Sequence, residues 1–65
     1  MTVTEKLDQI IAALTTARAD AVKFDGGNAA AGTRVRTAAQ DAKNALQDVR
    51  TLVQDLKNSR KTDGE

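Results

Sequence analysis

A single interruption splits an otherwise unbroken heptad pattern, and it limits the chain to very few folds. Upstream of it, the apolar positions Val3, Leu7, Ile10, Leu14, Ala17, Ala21 and Phe24 are spaced 4, 3, 4, 3, 4, 3. Downstream, Ala31, Val35, Ala38, Ala42, Ala45, Val49, Leu52 and Leu56 are spaced 4, 3, 4, 3, 4, 3, 4. Between them lies Phe24-Asp25-Gly26-Gly27-Asn28. Seven residues per two turns is the repeat of packed helices. Proline, which would break a helix, is absent, and twelve of the 65 residues are alanine.

The boundaries can be read locally. Thr2-Val3-Thr4-Glu5 has the form of a capping box, in which the Thr2 hydroxyl and the Glu5 carboxylate bond each other's amides. Gly26 or Gly27 can take the left-handed conformation that ends a helix, and Asn28 is a good cap for the next one. The pattern predicts one all-α domain over 1–65: a helix over about 3–24, a turn over 25–28, a helix over about 29–60 and a frayed tail over 61–65. A short glycine turn folds the two helices into an antiparallel hairpin. Val3 then faces Leu52, Leu7 faces Val49, Ile10 faces Ala45, Leu14 faces Ala42, Ala17 faces Ala38 and Ala21 faces Val35. Phe24 covers Ala31 as a core plug at the turn. Gly32, in the first turn of the second helix, is either merely tolerated or marks a close backbone approach.

Two helices share one seam, and below roughly 70–80 residues a lone core seldom suffices without disulfides, metal or oligomerisation. Cysteine and histidine are absent, as are Trp and Tyr. A second apolar row flanks the seam at Ala39, Leu46 and Val53, with Ile11 and Val22 on the first helix. These rows predict a homodimer or higher homo-oligomer, most simply a four-helix bundle, with Ile11, Leu14, Ala39, Ala42, Leu46 and Val53 in the interface.

Missing residue types also narrow the chemistry. Without Cys or His there is no thiol or imidazole nucleophile, general base or soft-metal ligand. No catalytic constellation converges, and a two-helix unit has no pocket. The expectation is a chain that is not an enzyme and has no cofactor, metal or small-molecule substrate. No apolar run approaches the ~18 residues of a membrane span, so a cytoplasmic location without membrane partners is expected.

Charge placement is more informative than net charge. The total is 10 basic against 9 acidic residues. Residues 1–25 hold three basic and four acidic side chains, whereas 28–61 hold seven basic and three acidic. On the second helix Arg36, Lys43, Arg50 and Lys57 recur every seven residues, and so do Asp41, Asp48 and Asp55. None of the four cations has an acidic residue three or four positions away on its own helix. Extended by Arg60 and Lys61, they form a rail roughly 35–40 Å long at about 1.5 Å per residue. Such a rail suits nucleic-acid phosphates without regard to base sequence. Rows of opposite charge beside an apolar seam also serve helix pairing alone.

The segment from Gly27 to Arg36 places an Asn cap, Thr33, Arg34 and Arg36 at a helix start, where unpaired amides attract anions. The bland reading of this segment is an αα-turn with Arg34 paired to Asp20 or Asp25. The stretch Gly27-Asn28 followed by Ala30-Ala31-Gly32-Thr33-Arg34-Val35-Arg36, with Ala45-Leu46-Gln47-Asp48-Val49-Arg50 beyond it, resembles the small bacterial linker-histone-like proteins. The resemblance covers about residues 26–58. It implies a helical, nucleoid-associated protein that compacts DNA. Thr33, Arg34, Arg36, Lys43, Arg50, Lys57, Arg60 and Lys61 are the candidate contacts to double-stranded DNA. The other reading is a helical oligomerisation or scaffold module without nucleic acid.

Overall fold

The computed structural model describes residues 2–60, which form two helices, α1 (Val3–Asp25) and α2 (Ala29–Ser59), packed side by side. The hairpin is a rod of 54 × 16 × 15 Å. The tail expected over 61–65, with Lys61, lies outside the described residues.

Both helix starts are built by the residues that announce them. The Glu5 amide donates to Thr2 Oγ1 at 3.1 Å, and the Thr2 amide donates to Glu5 Oε1 at 2.8 Å. The Thr2 amide, and with it the Thr2 hydroxyl at 3.1 Å, donates to the ionised carboxylate and favours it, so Glu5 titrates below its ordinary range. At the second start, the Ala31 amide donates to Asn28 Oδ1 at 3.1 Å.

The turn is a Schellman motif. The Gly27 amide donates to the Phe24 carbonyl at 2.9 Å and the Asn28 amide to the Lys23 carbonyl at 3.0 Å. Of the two glycines, Gly27 adopts the left-handed conformation, with φ at 107°.

The seam forms, but it is thin. Ile10 is 6% exposed and Ala31 is fully buried. Val3, Ala17, Ala21, Val35, Ala38, Ala42, Ala45, Val49, Leu52 and Leu56 are half-buried. Leu7 and Leu14 remain more exposed than their heptad places suggest. Leu14 has only Ala42 opposite it, which is too short to cover it.

Phe24 corrects the expectation of a buried plug. It is 51% exposed, because its ring lies against Gly32 rather than inside the hairpin. A β-carbon built on Gly32 would stand 2.5 Å from Phe24 Cδ1. Close approach of that ring therefore explains the glycine in the first turn of α2. Gly32→Ala is expected to lower the melting temperature by displacing the ring. In a Phe24→Ala background the same change should instead stabilise by up to ~1 kcal/mol, through helix propensity. Thermal unfolding of the four-member mutant cycle checks this reversal of sign.

Candidate nucleic-acid interface

The hairpin has two unlike edges, and the heptad explains both. In an antiparallel pair, the positions just before the first seam residue of each heptad face one another along one edge. Lys6 Nζ lies 3.8 Å from Asp48 Oδ2, and Arg34 Nε donates to Asp20 Oδ1 at 3.1 Å. Both pairs share one register, in which the two residue numbers add to 54. Asp20 is thus the partner of Arg34. The Lys6–Asp48 pair was not singled out from the sequence, although the same register arithmetic gives it. The third place in that ladder sets Ala13 against Asp41, beside a shallow recess lined by Lys6, Ile10, Ala38 and Ala45.

The opposite edge is apolar and open. Ile11 is 60% exposed and Leu46 is 45% exposed, with Leu14 and Val53 similarly bare. Ala39 is exposed and Ala42 half-buried. Leu14, Ala39, Ala42 and Leu46 form the floor of a trough, and Lys43, Gln47 and Arg50 stand along its wall. The six residues expected in the interface between copies therefore gather on this edge and the adjoining seam.

The basic row runs beside that apolar edge. Arg36, Lys43, Arg50 and Lys57 are all exposed. Among the described residues, the ion pairs are Lys6–Asp48 and Arg34–Asp20, so none of the four is engaged. Consecutive members are about 10.5 Å apart along the helix axis. Thr33 is exposed and shares a shallow depression with Arg36, Thr37 and Lys43. Arg60, the C-cap of α2, is exposed at the far end. Arg34 stands apart, on the ion-paired edge. What the hairpin offers chemically is a straight line of unpaired cations on a rigid rod, able to hold anions spaced along a polymer.

The family model described as Histone H1-like protein Hc1 matches residues 4–59. The chain belongs to this histone H1-like family. The match spans both helices, so it extends the resemblance seen in α2 to α1. The histone H1-like assignment places the cation row in a family of histone-like, DNA-associated proteins. No curated protein and no solved structure matches the chain. Among the described residues, no cluster of acidic side chains is arranged to hold a metal ion, and no helix is long and apolar enough to cross a membrane.

Proposed function

We propose that this histone H1-like protein binds double-stranded DNA through its phosphates, independently of base sequence, and compacts it within the nucleoid. The observation that carries this reading is the unengaged row Arg36, Lys43, Arg50 and Lys57 on the exposed side of α2. Thr33 and Arg60 extend it at its two ends, Lys61 follows Arg60 in the sequence, and Arg34 contributes from the other edge only with the N–H groups that Asp20 leaves over. Base reading has no platform here. Phe24, the sole aromatic residue, lies against Gly32.

The functional unit is a homodimer, closed through Ile11, Leu14, Ala39, Ala42, Leu46 and Val53. Exposed surface supports this. A globular monomer of this mass exposes about 4000 Å², whereas this hairpin exposes 5100 Å². That excess, about 1100 Å², is more than enough to supply the roughly 800 Å² that each partner contributes to a standard interface.

The test is binding to random-sequence duplex at several salt concentrations. Each phosphate contact contributes about 0.9 to the slope of log affinity against log salt. A slope of three or more per copy, equal for unrelated sequences, is expected. An intact dimer that leaves duplex DNA unbound even at low salt would show the protein to be a scaffold element instead.

A further inference from the structure

The two edges of the hairpin differ so much that they restrict how a second copy can dock, and this inference rests on the dimer and DNA reading above. Only the edge carrying Ile11, Leu46 and Val53 offers exposed apolar surface without a covering ion pair. Two such edges can close by a two-fold axis in two simple ways. If α2 lies on α2 of the second copy, the two basic rows meet side by side. If α2 instead lies on α1 of the second copy, the basic row meets a helix whose segment is net negative.

Charge and register both select the second arrangement. With the two-fold axis along the rod, heights are preserved between copies. Ile11 of the second copy then sits about 2 Å in height from Leu46, over the trough floored by Leu14, Ala39 and Ala42. Asp8 of the second copy stands within one turn of Arg50, on the rim of that contact. Asp8 and Arg50 are both exposed, and among the described residues neither has an ion-pair partner within its own hairpin. Thr15 and Val22 follow Asp8 along the same line of α1 without charge; Arg18, seven residues after Ile11, is the one cation α1 brings to this edge, against Asp8 and Asp25, whereas a second α2 would bring the whole basic row.

We propose that the dimer is built from two α1–α2 contacts between copies, each with Asp8 against Arg50. The consequence is functional. The two basic rows then lie on opposite faces of the four-helix bundle, so one dimer holds two separate duplexes and bridges them. The alternative packing would merge the rows into one strip that holds a single duplex.

Three measurements test this. The first mixes a Thr15→Cys chain with a Lys43→Cys chain under oxidising conditions, in a protein that otherwise lacks cysteine. A disulfide between the two different chains is expected; a preference for linking two Lys43→Cys chains overturns the packing. The second compares dimer dissociation for Asp8→Arg, Arg50→Asp and the double exchange, after circular dichroism has verified helicity. Each single change should weaken the dimer roughly tenfold, since two pairs turn repulsive, and the exchange should restore it to within a few-fold. An exchange as weak as either single variant overturns the pairing. The third asks whether the native protein captures a free duplex onto a bead-tethered one. Capture is expected, and the monomer made by Leu46→Asp should lose it while still binding one duplex. Binding of single duplexes by a native dimer that never captures a second would sink the bridging arrangement and leave the phosphate reading intact. A dimer with the predicted cross-link that binds no DNA would do the reverse.

Discussion

Reversing three charges of the row together, by Arg36→Glu, Lys43→Glu and Lys57→Glu, is expected to lower affinity for random duplex on the order of a thousandfold at about 50 mM salt. The magnitude follows from counterion release. A slope of about 0.9 per contact means that, at this salt concentration, each phosphate contact contributes roughly tenfold. Three lost contacts multiply to about a thousandfold, before any repulsion from the new carboxylates is counted. The salt slope itself should fall by about 2.7 per copy. Arg50 is left in place so that the proposed contact with Asp8 of the second copy is not disturbed. Lys23→Glu on α1 also removes positive charge but lies outside the row. It should cost less than about tenfold, because exposed charges beyond a Debye length are screened. Titration of a labelled duplex by fluorescence anisotropy reads both quantities. A loss for Lys23→Glu of about tenfold or more, its proportional share of the thousandfold, would mean that net charge, not its alignment, holds DNA.

Most of this fold was legible because its determinants are local. Thr2 and Glu5 build their capping box within four residues, and Asn28 caps α2 within the same span. The heptad then dictates which face meets which, and Ile10 and Ala31 are buried where it places them. Phe24 departs from the burial its heptad place suggests, because heptad position reports direction, not the depth of what lies there. Its neighbour across the turn is a bare glycine backbone, so the ring rests on a surface rather than in a core. The candidate interface was legible in part for a related reason. Periodicity fixes that Arg36, Lys43, Arg50 and Lys57 align, but whether a cation is free depends on the opposing helix. Arg34 shows the difference: it lies two residues from Arg36 in sequence, yet faces Asp20 on the other edge.

Ile10→Ala and Ile11→Ala, one residue apart and identical in chemistry, should fail in opposite ways. Ile10 is 6% exposed, and it is the only large side chain buried among the described residues. Removing three buried carbons costs about 2–5 kcal/mol. A single core in a domain this small rarely supplies more than roughly 3–5 kcal/mol. The Ile10 variant should therefore lose most of its helical circular dichroism at 25 °C, at every protein concentration. Ile11 is 60% exposed in the hairpin, and in the proposed dimer the second copy covers it. Its truncation should leave the hairpin folded and weaken the dimer instead. The melting temperature of the Ile11 variant should match that of the native chain when both are dilute, and fall below it as concentration rises, because association stabilises only the native assembly by mass action. The contrast separates the two layers of stability. The seam inside the hairpin holds the two helices together, and on the proposed assembly the apolar edge holds the copies together. Parallel, concentration-independent losses for both variants would place Ile11 in the hairpin's own core and remove the edge on which the dimer is built.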